Sequence, residues 1–190
     1  MIRPLPYPEL YILRHGQTEW NEQGRMQGAL NSPLTAQGVA EATRQGEILQ
    51  RIDLQDFSFI CSPQMRAVQT AGIALSHVAG FVQTDPRLAE ITVGEWSGLL
   101  RDDLPMEDGP DAFMAQYEAA PGGEGLAGVT CRVTAFLADL KGPSVLVTHG
   151  VTSRVLRGLV VGEDAIGAAS VHGGQGTVYH LKDGMQKVLK

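Results

Sequence analysis

Three short apolar runs, rich in β-branched and aromatic residues, each lead straight into a turn and then into a helical pattern. They are Leu10–Leu13 before Arg14-His15-Gly16, Phe57–Cys61 before Ser62-Pro63, and Ser144–Thr148 before His149-Gly150. Strands alternating with helices in this way build a layered α/β sheet. The expected fold is α/β: a three-layer α/β/α sandwich, with a mostly parallel central sheet and helices on both faces. At 190 residues, one domain covering 1–190 is the expectation.

The helical patterns can be read in order. Thr35 precedes a stretch in which Val39, Ala42, Gly46, Leu49 and Ile52 recur at spacings of three and four, one face of an amphipathic helix capped by Thr35. Ser62 and Pro63 suit the N-cap and first position of a helix from about Gln64 to Val78. Phe81–Thr84 reads as a strand, and Val129–Leu140 and Val151–Val161 as helices. Thr177–Leu181 and Gln186–Leu189, either side of Asp183-Gly184, read as a terminal hairpin. Between them, residues 101–128 mix acidic residues, prolines and glycines. This stretch reads as an irregular lid insert with a short helix near Asp111–Glu118.

Composition excludes several functions. The chain is 43% apolar and 19% charged, with a net charge of −6. It offers no general basic field, so neither nucleic acid nor an anionic membrane is an expected partner. An anionic ligand must be selected by a local cationic cluster. No run of 18 apolar residues occurs, and Met1–Glu9 does not resemble a signal peptide, so the expected location is cytoplasmic. A homodimer is compatible with the sequence. Cys61 and Cys131 read as reduced core thiols. No His, Cys or carboxylate spacing suits a metal, and neither metal nor cofactor is expected. Trp20 and Trp96 read as packing residues, and His77 and His180 as surface or edge residues. His172 lies in a Gly-rich stretch that lacks a following lysine and reads as a turn rather than a phosphate loop.

The chemistry gathers where the strands end. Arg14 and His15 follow the first strand, Arg66 falls in the first turn of the next helix, and His149 follows the Ser144–Thr148 strand. In α/β proteins ligands bind at the carboxyl ends of strands. Neighbouring strands would bring two arginines and two histidines together beside helix N-termini. Such a site implies a phosphoryl group, held by bidentate arginine donors. Gly16 would let the backbone approach it closely.

Four segments carry a resemblance. Leu13-Arg14-His15-Gly16-Gln17-Thr18-Glu19-Trp20-Asn21, Ser62-Pro63-Gln64-Met65-Arg66-Ala67-Val68-Gln69-Thr70-Ala71, Leu88-Ala89-Glu90-Ile91-Thr92-Val93-Gly94-Glu95-Trp96-Ser97-Gly98 and Val147-Thr148-His149-Gly150 resemble, in order and spacing, the motifs of the histidine phosphatase superfamily, the phosphoglycerate-mutase-like proteins. The resemblance implies a metal-independent phosphatase acting on a small phosphorylated metabolite. His15 would be the nucleophile that forms a phosphohistidine. Arg14, Arg66 and His149 would hold the phosphoryl oxygens. Glu90 would protonate the leaving oxygen and then activate water, with Glu95 the rival carboxylate. Thr18, Asn21, Gln27, Gly28 and Gly150 would contact phosphate or substrate. The alternatives are a phosphoglycerate mutase, which resembles longer chains, and a phosphate-binding module without turnover. Two departures from the family pattern bear on the substrate: Ala29-Leu30-Asn31 follows Gly28 where many members carry Trp and Asp, and Gly125 stands where Ser is common.

Overall fold

A computed structural model describes residues 7–106, 112–163 and 174–190. Its elements run β1 (Leu10–Arg14), α1 (Glu19–Glu22), α2 (Ala36–Leu49), β2 (Ser58–Cys61), α3 (Met65–Ala74), β3 (Gln83–Thr84), α4 (Ala112–Glu118), α5 (Gly125–Asp139), β4 (Ser144–Thr148), α6 (Gly150–Val161), β5 (Val178–Lys182) and β6 (Met185–Leu189). The sheet order is β3-β2-β4-β1-β5-β6. The β3/β2, β2/β4 and β4/β1 pairs are parallel, and β5 and β6 add an antiparallel edge.

Alternation along the strands makes the three layers. Leu10 and Ile12 of β1, with Leu146 of β4, face a core completed by Val129, Val133 and Phe136 of α5 and by Val151, Val155 and Leu156 of α6. Tyr11 and Leu13, with Val145 and Val147, face the other way, onto Ile48 and Leu49 of α2 and Ala67, Ala71 and Ala74 of α3. Each face of the sheet is therefore buried under a helix pair, as the alternation of strand and helix patterns requires. A third cluster of Met26, Val93 and Ala120, backed by Trp96, Leu104 and Tyr117, packs the loops against part of the 101–128 segment.

Several local expectations change. The second helix-opening motif starts its helix later than expected: the N-cap is Gln64, and α3 ends at Ala74. Ser62 lies before the helix, where its Oγ accepts the Gln64 N–H at 3.2 Å. α5 begins a turn before Val129, at Gly125. Val39 is 44% exposed although it shares the spacing of the buried α2 residues. Cys61 is buried, but Cys131 is exposed. It sits two residues, and so about 200° of helical rotation, from buried Val129. The turn assigned around His172 lies largely outside the described residues. No described helix is long and apolar enough to cross a membrane.

Candidate active site

Parallel pairing aligns the strand ends. Arg14 of β1 is in register with Thr148 of β4, and Cys61 of β2 with Val147. His15 N–H donates to Thr148 O at 2.9 Å, and Ser62 N–H to Val147 O at 2.9 Å, so the ladders continue one residue past the strands. His15, Ser62 and His149 therefore emerge side by side from three adjacent strands, with β4 in the middle.

His15 is 3% exposed. Its Nδ1 lies 2.8 Å from Gly16 O. A carbonyl oxygen only accepts, so Nδ1 carries the hydrogen and Nε2 of the neutral ring keeps its lone pair. Burial, with the Arg66 and Arg14 guanidiniums adding to it, holds His15 well below the usual imidazole range. The ring of His149 lies 5.1 Å away, centroid to centroid. His149 is fully buried and is also held well below the usual range, by burial first and then by Arg66, His15, Arg14 and Arg132.

Arg66 is buried beside them. Its two terminal nitrogens are committed: Nη1 donates to Leu30 O at 2.6 Å and Asn31 Oδ1 at 3.2 Å, and Nη2 to Gly28 O at 2.9 Å and Gln64 Oε1 at 3.3 Å. Its Nε has no partner, and neither do Arg14 Nε and His149 Nδ1, all of them buried. Burial pushes the Arg66 guanidinium down to about 10 against the pull of the Glu90 carboxylate, which leaves it charged at neutral pH. Buried donors without acceptors are rare and costly. These three, two of them on arginines, form a cage suited to an oxyanion.

Glu90 is buried at the N-terminus of α6. Its Oε1 accepts N–H from Ile91 and Thr152, each at 3.1 Å, and its Oε2 accepts from Val151 at 3.1 Å. The first turn of a helix is a favourable seat for a carboxylate. The loop carrying it is anchored at both sides: Thr148 Oγ1 donates to Leu88 O at 2.7 Å, and Thr152 Oγ1 to Ala89 O at 2.6 Å. Glu95, the rival carboxylate, is exposed.

The entrance residues bind one another. Thr18 caps α1, its Oγ1 accepting from Asn21 N–H at 3.2 Å and from Gln27 Nε2 at 2.7 Å, while Asn21 Oδ1 accepts from Thr18 N–H. Gln27 Oε1 is left buried without a partner. Gly28 has φ +52°, and a Cβ there would meet Val93 at 2.8–3.0 Å, so both conformation and space demand glycine. Gly150 is different: a Cβ would meet Arg14 Nε and Glu90 Oε2 at 3.5 Å, an ordinary contact. Gly16 serves a purpose other than the one expected of it. A Cβ there would lie 2.2 Å from Gly38 O, so the glycine lets the His15 loop back onto α2 rather than onto a ligand.

Two site residues carry roles that their sequence positions hid. Gln64 donates to Gly28 O at 2.9 Å, while its Oε1 accepts from Glu90 N–H at 2.8 Å, tying the acid loop to the entrance loop. Thr70 Oγ1 accepts from Gly16 N–H at 3.0 Å and donates to Arg66 O at 2.8 Å. A polar residue four places after Arg66 on a helix face otherwise filled by alanine is the one signal that pointed to Thr70.

Comparison with known proteins identifies the family. Residues 10–187 match the histidine phosphatase superfamily (branch 1). An acid phosphatase of Mycobacterium tuberculosis is 34% identical over 155 residues, covering 77% of this chain and 72% of that protein. The crystal structure of a phosphoglycerate mutase from Thermus thermophilus superposes with a TM-score of 0.73 at 33% identity, covering 96% of each chain. A mycobacterial glucosyl-3-phosphoglycerate phosphatase, complexed with VO3, gives 0.74 at 29% identity over 92% of each chain. The chain belongs to the histidine phosphatase superfamily.

Proposed function

We propose that the protein hydrolyses phosphomonoesters of small metabolites through a phosphohistidine on His15, without metal or cofactor. The observation that carries this reading is the state of His15: a neutral, buried ring whose Nδ1 hydrogen is spent on Gly16 O, leaving Nε2 free. In the first step Nε2 attacks phosphorus, the P–O bond to the alcohol breaks, and Glu90 gives that oxygen a proton. In the second, Glu90 takes a proton from water, the water oxygen bonds to phosphorus, and the P–N bond breaks to release inorganic phosphate. Arg14, Arg66 and His149 would meet the charge on the equatorial oxygens, the main lever in phosphoryl transfer. Hydrolysis is favoured by the similarity to an acid phosphatase and to a glucosyl-3-phosphoglycerate phosphatase, and a cytoplasmic location is the companion proposal.

Rapid quenching during turnover of p-nitrophenyl phosphate tests this. Acid-labile, base-stable phosphate should be trapped on the wild type and not on His15→Ala, whose turnover should fall about 10³-fold or more. Activity should survive excess EDTA. Equal trapping on the alanine variant, or activity lost to chelation and restored by Mg²⁺, would overturn the reading. With phosphoglycerate as substrate, an isomer in place of inorganic phosphate would identify a mutase.

A further inference from the structure

Ser62 ends β2 one residue before Pro63, and its ladder bond to Val147 O sets it beside the start of the His149 turn. Its Oγ is 2.7 Å from His149 Nε2. Both side chains are fully buried. The Ser62 oxygen already accepts the Gln64 N–H at 3.2 Å. Its single hydrogen has one acceptor in reach among the described residues, and that is His149 Nε2. Were the hydrogen on Nε2 instead, the hydroxyl hydrogen would be buried with no acceptor, a loss of roughly 1–3 kcal/mol. Nδ1 would then present a lone pair beside Arg14 Nε and Arg66 Nε, the two unpartnered donors of the cage.

Resting on the phosphate-site reading above, we infer that Ser62 is a positioning residue: its hydroxyl donates to His149 Nε2 and so keeps the ring hydrogen on Nδ1, from which a neutral imidazole donates to a phosphoryl oxygen. The surroundings require such a device. The charged groups around His149 are Arg66 from α3, Arg14 from β1, Arg132 from α5 and Glu90 at the start of α6, with His15 beside it. With cations in the majority, the ring stays neutral and is a donor through one nitrogen only. Which nitrogen that is depends on the hydrogen bond made by the other. Ser62 makes that bond, and the result is a third oxyanion donor that adds no further positive charge between two arginines.

The decisive measurement is ¹⁵N NMR of the histidine rings in the wild-type protein, free of phosphate, at about pH 7.5, where the ring is neutral. His149 is assigned by the signals lost in His149→Gln. The hydrogen should be on Nδ1; a hydrogen on Nε2 overturns the proposal. A second measurement is the affinity for inorganic phosphate, by calorimetry, of wild type, Ser62→Ala and Ser62→Thr. At about pH 8 the alanine variant should bind roughly 10-fold more weakly, as for one lost donor to an anion. Towards lower pH the gap should narrow, because a bound anion lets the ring beside it take up a proton and an imidazolium carries a hydrogen on Nδ1 whatever its neighbour is. Threonine, which keeps the hydroxyl, should stay within about 3-fold of wild type throughout. The ratio between proteins at each pH cancels the titration of phosphate itself. No deficit at about pH 8 overturns the proposal. The wild-type spectrum decides even where a variant packs poorly. Correct tautomer and phosphate binding without turnover of p-nitrophenyl phosphate would sink the catalytic reading alone; turnover with the reversed tautomer would sink this one alone.

Discussion

Arg66 does two jobs with one side chain. Its terminal nitrogens bind the Leu30 and Gly28 carbonyls and so shape the entrance loop, leaving Nε for a ligand. A lysine has no rigid fork and cannot do both. Arg66→Lys should therefore behave nearly as badly as Arg66→Ala: turnover about 10²–10³-fold lower, the range for one lost transition-state donor, with a lowered melting temperature from the stranded Leu30 carbonyl. A lysine variant close to wild type in steady-state assays would mean that charge alone suffices there. Glu90 gives a second residue-level prediction. Proton donation matters for a poor leaving group, so Glu90→Gln should slow alkyl phosphates by about 10²–10⁴-fold. The burst of p-nitrophenolate should suffer much less. Exposed Glu95 as Gln should change neither; exchanged behaviours would make Glu95 the acid. Arg14, His15, Arg66 and His149 are legible in the sequence because each sits at a strand end or beside a helix start, whereas Glu90, in an irregular stretch, is legible only through the motif resemblance. Ser62, Gln64 and Thr70 are not, because a polar side chain at a helix start looks like a cap, and one within a helix looks like a surface residue, until its partner from a distant segment is known. Ser62 in particular bonds a residue 87 positions away.

At the scale of elements, helix–loop contacts rather than helix propensities determine how the site is held. Gly16 and Gly38 touch backbone to backbone: a Cβ on Gly38 would lie 2.0 Å from Gln17 O. Gly38→Ala therefore cannot be relieved by a rotamer change and must move either the His15 loop or α2. It should cost about 1–3 kcal/mol in urea unfolding, as overpacking does, and lower turnover as well. A neutral result would show the loop to be more yielding than its packing implies. This glycine pair is invisible in the sequence, because Gly16 and Gly38 lie 22 positions apart and only the fold brings their backbones together. The start of α2 matches the expected cap at Thr35, whereas α1, capped by Thr18, is not foreseen from the sequence. The start of α5 is not legible either, because it begins with Gly125 at φ +67° behind Glu124, which makes no cap bond. α4 is held differently again. Arg101 donates to Gln116 Oε1 and Tyr117 OH, each at 2.7 Å, and lies 5.0 Å from the rings of Phe113 and Tyr117. Arg154 lies over the other aromatic contact, 4.4 Å from the Phe113 ring. In Arg101→Ala the amides of Ala112–Glu118 should exchange hydrogen at least about 10-fold faster, while those of α5 stay protected, since short helices open locally. Uniform acceleration would mean that α4 opens only with the whole fold.

For the whole molecule, the sheet places two neutral histidines in its interior at the cost of stability in acid. His15 and His149 are both held below the ordinary imidazole value, chiefly by burial. An unfolded chain therefore takes up more protons than the folded one once the pH drops below about 6.5. The sign follows directly: the stability contributed by keeping these rings neutral is complete above about pH 6.5–7 and is lost as pH falls toward their folded values. The slope can reach about 1.4 kcal/mol per pH unit for each ring. The ion pairs act in another window. Asp85 is held below the carboxylate range by its hydrogen bonds from Arg87, so its contribution is present above about pH 4 and lost only below that. Thermal melts in phosphate-free buffer should thus decline from about pH 7 to pH 5, before the carboxylates titrate. The His15→Gln/His149→Gln protein should lose most of that decline. Inorganic phosphate added to the wild type should restore stability at about pH 5 more than at pH 8, because a bound anion stabilises the folded state and lets a ring beside it accept a proton. Equal slopes in the wild type and the double variant would place the acid-sensitive groups elsewhere in the fold.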